Sequence, residues 1–259
     1  LTWPKIGLST LYALSGSLNN ALSSIAQADV RFIEVVDDGL HALNKRRVSQ
    51  LLDFGESHNI KYSVHAPFAD INIASPSRLI LKATVKRLCR SLENARALNA
   101  YLWVFHPGMK TGISMFYPGK EWLQNIKTIR LLHKIACDYG LKIGLENVPD
   151  PYPFLMKSVR DFEVFYDAVG EDIGLVLDVG HSNINGQTEL FIKTFRDKIV
   201  HIHAHDNDGK ADSHKGIGHG TVNWKGLAEL LREIAYDKIV VVESIKNVEE
   251  SINSLAALL

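Results

Sequence analysis

Eight short runs of β-favouring apolar residues, each followed by a longer stretch with apolar positions at helical spacing, constrain this chain more than any other feature. The runs are Ile6–Ser9, Phe32–Val36, Tyr62–His65, Leu102–His106, Ile143–Glu146, Gly174–Asp178, Ile199–His203 and Ile239–Glu243. Between them, segments such as Arg78–Leu98, Trp122–Tyr139 and Trp224–Ala235 carry the periodicity of amphipathic helices. Eight βα units repeated every ~25 to 40 residues match the arithmetic of a (β/α)8 TIM barrel, an α/β fold. A doubly wound sheet also alternates strands and helices, but it usually has fewer strands and a glycine-rich phosphate turn after the first. The first run, IGLST, has no such turn, so the barrel is the expected fold. No Pro/Gly/Ser-rich linker and no low-complexity tract divides residues 1–259, which are expected to form a single domain.

Composition narrows the role. Lys+Arg and Asp+Glu both number 29, so no overall basic field recruits nucleic acid, although a local basic patch is compatible with that balance. Cys89 and Cys137 fall in helical segments without CxxC spacing and read as reduced core residues of a cytoplasmic protein. The opening LTWPKIGLST lacks the pattern of a signal peptide, and no apolar run reaches membrane-spanning length, so neither a secretory leader nor a membrane partner is expected.

The densest chemistry lies in His201–Gly220, HIHAHDNDGKADSHKGIGHG. His201, His203 and His205 alternate with Ile202 and Ala204, so in a strand the three imidazoles share one face. Asp206, Asp208, Asp212 and His214 follow in a Gly-rich loop. Imidazole and carboxylate bind borderline divalent cations such as Zn²⁺ or Mn²⁺. One or two such histidines would read as a solvated loop; this density at a strand's carboxyl end favours a metal or catalytic site. The neighbouring strands carry the same signature. His65 stands in VHAPF, His106 in VFHPG, Glu146 in LEN, Asp178 and His181 in LDVGH, and Glu243 in VVES. The carboxyl ends of barrel strands converge on one mouth, which brings these residues together with His203, Asp212 and His214. A single polar strand end is most simply a hydrogen-bonded plug, but consecutive strands ending this way are not. The set exceeds what one tetrahedral or octahedral ion uses, so two or three ions sharing a bridging carboxylate are expected, an arrangement suited to displacement at phosphorus.

In VHAPFADINIASP, FHPG, LEN, LDVGH, HAHDN…DSHKGIGHG and VES, the chain resembles the endonuclease IV group (AP endonuclease family 2) within the xylose isomerase-like TIM-barrel superfamily. The similarity runs along most of the chain, and the motifs are specific in combination. The resemblance implies three zinc ions, with Mn²⁺ or another divalent cation fitting the same donors. It implies that His65, His106 and Glu146 hold one ion, and that Glu146 bridges to a second held by Asp178, His203 and Glu243. His181, Asp212 and His214 would hold the third. The implied reaction is attack of metal-bound hydroxide on the phosphodiester 5′ to an abasic site in DNA, with the flipped sugar over the cluster.

The chain also departs from that group. After the second run it reads EVVDDGLHALNKRR, where Glu34, Asp37 and Asp38 are expected at the mouth, repelling a phosphate backbone. Lys45, Arg46 and Arg47 are expected on a solvated helix face. Phe68 replaces a tyrosine, and VPDPYPFLM after LEN supplies Tyr152 and Phe154 as a wall for a smaller ligand, against a simpler reading as loop packing. His205 and His219 are expected near substrate, His205 alternatively as a partner of a metal ligand, and His41, His58 and His133 are assigned no role. These departures leave a second function in view. A sugar or sugar-phosphate isomerase or epimerase of the same superfamily would hold one ion with Glu146, Asp178, His203 and Glu243, using Glu146 and Glu243 as the acid/base pair. A non-enzymatic metal-binding barrel is the third. The surplus of His65, His106, Asp212 and His214 favours the hydrolase.

Overall fold

The computed structural model describes residues 4–28 and 30–259. Its strands are β1 (Lys5–Ser9), β2 (Phe32–Val36), β3 (Lys61–His65), β4 (Leu102–Phe105), β5 (Ile143–Glu146), β6 (Gly174–Asp178), β7 (Ile199–Ala204) and β8 (Ile239–Val242). Each pairs in parallel with the next, and β8 returns to β1, so the sheet closes in chain order as a (β/α)8 barrel. The helices are α1 (Leu18–Ile25), α2 (Lys45–His58), α3 (Arg78–Ala97), α4 (Lys120–Asp138), α5 (Val159–Val169), α6 (Val179–Ile184), α7 (Thr188–Phe195), α8 (Trp224–Glu233) and α9 (Val248–Leu258). His106 and Glu243, expected within strands, stand one residue beyond β4 and β8, where the ladder has stopped and side chains turn into the mouth.

Alternation along each strand divides the core in two. Outward residues such as Trp103 and Phe105 pack under the helices, and the Trp103 indole donates to Ser91 Oγ on α3 at 3.0 Å. Leu102, Val104 and Val176 form a separate apolar cluster facing the barrel interior. Opposite them the interior is polar: Glu34 on β2, Ser63 on β3, and His201 and His203 on β7 are all fully buried. Cys89 is half-buried and Cys137 is exposed, so the expectation that both are core residues fails; their helix faces do not point at the barrel. No helix among the described residues is long and apolar enough to cross a membrane.

The loops at the carboxyl ends are pinned by side chains. Asp206 accepts from Gly218 N–H at 3.0 Å, Val222 N–H at 3.1 Å and the Trp224 indole at 2.9 Å, which folds residues 206–223 back against α8. Asp208 pairs outward with Lys215. These two carboxylates therefore build the loop, leaving Asp212 and His214 to face the mouth.

Candidate metal centre

Glu146 occupies the middle of the mouth and is 1% exposed. Its Oε2 lies 3.3 Å from His65 Nε2 and 3.1 Å from His106 Nε2. Its Oε1 lies 3.3 Å from His181 Nδ1 and 3.4 Å from His203 Nδ1. The two oxygens thus address two different donor groups. The first group is His65, His106 and Glu146; the second is Glu146, Asp178, His203 and Glu243. His181, His205, Asp212 and His214 make a third, and within every group the ligand atoms lie inside 4.8 Å of one another. All nine sequence-nominated ligand positions fall in these groups.

The backbone fixes which imidazole nitrogen faces inward. Nδ1 of His65 donates to the Ala66 carbonyl at 2.8 Å, Nδ1 of His181 to Asn147 at 2.9 Å, and Nδ1 of His214 to Glu243 at 3.0 Å. In each case Nε2 is left with its lone pair toward the cluster, the usual way a protein sets a ligating tautomer. Asp178 follows the same logic. It caps α6 by accepting His181 N–H at 2.6 Å through Oδ1, while Oδ2 has no hydrogen-bond partner. Asp212 Oδ1 and both ring nitrogens of His203 and His205 are likewise buried without an aligned partner. Each such atom costs about 1–3 kcal/mol if left unsatisfied. The donor atoms of each group lie within 4.8 Å of one another, and a divalent cation among them would take up one nitrogen of each ring together with the free carboxylate oxygens, while His203 Nε2 faces Glu34 Oε1 at 2.9 Å; imidazole with carboxylate is the donor chemistry of zinc or manganese.

Without cations, protons do that work. Burial alone pushes Glu146 up, but the positive charges of His203 and His106 outweigh it and hold the carboxyl well below its ordinary range. Burial lowers His65, and the hydrogen bond and charge of Glu146 reverse this, carrying it up to about 9. His181 and His203 are raised for the same reason by Asp178 and Glu243, respectively, against their own burial.

Sequence expectations at five residues are corrected. Glu34 is not at the mouth: it lies beneath the cluster, 2.9 Å from His203 Nε2 and 3.2 Å from His201 Nε2, and accepts the Ser63 hydroxyl at 2.9 Å. Asp37 is buried, held by Arg87 at 3.0 Å and the Leu43 N–H at 2.6 Å. Asp38 accepts from the Phe68 and Ala69 amides at 3.0 and 2.9 Å, so none of the three presents a free acidic face to a ligand. His205 and His219 do not line the cavity: His205 is fully buried in the third donor group, and His219 sits outside, 3.1 Å from Glu250. Sequence reasoning missed the role of Glu34 and placed His205 no closer than a partner of a metal ligand, yet strand alternation carried the signal, because Glu34 stands mid-strand in FIEVV and His205 stands in phase with His201 and His203. Lys45 and Arg46 open α2 exposed to solvent, as expected, whereas Arg47 is half-buried and donates to the Ala42 carbonyl.

Above the cluster lies a cavity of about 450 Å³. Its floor is His65, His106, Glu146, His181, Asp212, His214 and Glu243; its walls are Leu11, Val36, Phe68, Val148, Tyr152, Phe154 and Ile245. Phe68 and Phe154 bracket His106 with ring centroids 5.9 and 5.8 Å away, and Tyr152 meets Phe154 edge-on at 6.3 Å. Tyr152 and Phe154 therefore line this cavity.

A closed parallel barrel with clustered imidazoles and carboxylates at its carboxyl mouth defines a metalloenzyme-like (β/α)8 class. Within that class, the chain belongs to the xylose isomerase-like TIM barrel family, whose model matches residues 22–258. It is 33% identical over 254 residues to an uncharacterized protein of Methanocaldococcus jannaschii, covering 96% of this chain and 86% of that one. A probable endonuclease 4 of Aquifex aeolicus is 26% identical over 190 residues, covering 66% of this chain and 65% of the relative. Among solved structures, a D-tagatose 3-epimerase-like protein superposes with a TM-score of 0.91 at 31% identity, covering 98% of this chain and 95% of that chain. The family thus contains both hydrolases and epimerases.

Proposed function

We propose that this chain is a polynuclear metallohydrolase of phosphate esters, with the phosphodiester 5′ to an abasic sugar in DNA as its leading substrate. The observation that carries the reading is the division of Glu146, with Oε2 on His65 and His106 and Oε1 toward His203. A base in a mononuclear epimerase needs one oxygen free for the substrate carbon; this carboxylate has both oxygens committed to separate donor groups. The ligands would be His65, His106 and Glu146, then Glu146, Asp178, His203 and Glu243, then His181, Asp212 and His214. Ions bound at the two groups that share Glu146 would supply charge neutralisation at phosphoryl oxygens and a water acidic enough to act near neutral pH. The chain's own residues would hold the ligand: Phe68, Tyr152 and Phe154 line the cavity with rings available to a sugar, while the committed tautomers of His65, His181 and His214 need no rearrangement. The similarity to probable endonuclease 4 supports the same reading.

A second reading has its own support. The cavity is of small-molecule size and aromatic-walled, and the D-tagatose 3-epimerase-like structure superposes over nearly the whole chain. On that reading Glu146, Asp178, His203 and Glu243 would hold one ion that polarises the sugar oxygens, and Glu146 and Glu243 would exchange the proton at a sugar carbon. Metal content of protein purified without chelator, followed by parallel abasic-DNA nicking and ketose or sugar-phosphate epimerisation assays, separates the two. Near three ions per chain with nicking supports the hydrolase. One ion per chain with sugar turnover overturns it.

A further inference from the structure

The third donor group contains a histidine that the three-ligand description leaves idle. His205 stands one residue past β7, is fully buried, and has neither ring nitrogen in an aligned hydrogen bond. Its Nε2 lies 3.6 Å from Asp212 Oδ1 and 3.1 Å from Asp178 Oδ1, an oxygen that also accepts the His181 amide at 2.6 Å. Its ring stacks on His214 with centroids 3.9 Å apart. The position is also built for an imidazole. A Cβ placed on Gly180 would fall 2.0 Å from His205 Cε1 and 2.5 Å from each ring nitrogen, so the glycine of LDVGH exists in the same space as this side chain. Gly180 and His205 are one unit, and any side chain at 180 would evict the ring.

We infer that His205 is a fourth protein ligand of the third ion, giving a three-imidazole, one-carboxylate set with His181, Asp212 and His214. The inference rests on the polynuclear reading and deepens it. Four protein donors complete the tetrahedral shell that zinc adopts in closed sites, whereas a catalytic zinc keeps one position for water or substrate. The third ion is therefore saturated by protein. It fastens the 206–223 loop to the barrel mouth and leaves the chemistry to the pair of ions sharing Glu146. Asp212 and His214 act on the loop's position instead of on the phosphate.

The test compares zinc retention and cobalt(II) spectra in the wild type, His205→Asn, Gly180→Ala and His205→Cys, with circular dichroism confirming the fold. The wild type should hold three zinc ions, one of them resisting a chelator longest. His205→Asn should release that ion at least ~10-fold faster while retaining the other two, since even lost partners of ligands cost about 10–100-fold in affinity. Gly180→Ala should reproduce the loss. The cobalt form of His205→Cys should gain a thiolate-to-cobalt charge-transfer band, a readout that a merely packed side chain would not produce. Unchanged retention in His205→Asn, or a cysteine variant without that band, overturns the inference while leaving the hydrolase reading standing. A wild type holding a single ion overturns both.

Discussion

Glu146→Gln changes one atom of the side chain and should dismantle the centre of the site. The carboxylate has four imidazole nitrogens around it, at 3.3 Å (His65), 3.1 Å (His106), 3.3 Å (His181) and 3.4 Å (His203). A glutamine keeps the shape but offers one acceptor, and its NH2 group turns two donor hydrogens on whichever group it faces. In the metal-free protein the cost is bounded by proton coupling. Raising His65 from 6.5 to about 9 corresponds to ~3 kcal/mol near pH 6 and ~1 kcal/mol at pH 8, because an imidazole robbed of its partner sheds its proton. Glu34 and Glu243 share in that coupling, so these are upper values for Glu146 alone. For the metal the loss is larger. The first group falls to two imidazoles and should empty, the second keeps Asp178, His203 and Glu243, and the third keeps all its ligands although His181 loses the Glu146 carboxylate beside its Nδ1. Metal content should drop by about one ion per chain, and turnover should drop at least ~100-fold, as when one transition-state donor is removed. The assay is plasma mass spectrometry on dialysed protein beside a nicking or epimerisation rate, with thermal melts at pH 6 and 8. A variant that keeps the full metal complement would refute the bridging role, and retained turnover would refute the acid/base role with it.

Asp212→Ala separates the two readings: nicking should fall at least ~10-fold with loss of one ion, whereas an epimerase working from the second donor group should be nearly unaffected. Arg87→Ala leaves Asp37 buried with its charge uncompensated, so urea unfolding should show a loss of about 3–5 kcal/mol; a change below ~1 kcal/mol would mean that the Leu43 amide alone satisfies the carboxylate. In the metal-free protein His65 sits above its unfolded value, so its contribution is complete below pH ~6.5 and is lost as pH rises through about 9. His181, His203 and His214 are also raised and push the same way. Melting temperature should accordingly fall across that window, and a temperature that climbs from pH 6.5 to 9 would contradict the proton-filled cluster.

The chain's order of short apolar runs and amphipathic stretches was enough to derive a closed barrel. Parallel strands joined by helices have few ways to bury both faces, and eight of them close on themselves. The strand ends were legible for a related reason. Register in a barrel is fixed by the alternation of inward and outward residues, so His65, Glu146, Asp178 and His203 could be placed on one rim from spacing alone. The errors came where a side chain's direction depends on a neighbour distant in sequence. Glu34, Asp37 and Asp38 read as an acidic rim because charged residues normally face water, yet His203, Arg87 and the Phe68 amide draw all three inward or occupy them. His205 read as a contact for substrate or a partner of a metal ligand, and its ring, packed over Gly180, lies buried within the third donor group. Sequence by itself determined the fold and the inventory of donors, because both follow from local period and residue type. The family resemblance had already suggested how those donors divide into groups; tertiary structure decided which oxygen of Glu146 meets which imidazole across the barrel and brought His205 into the third group, because both depend on side chains distant in sequence.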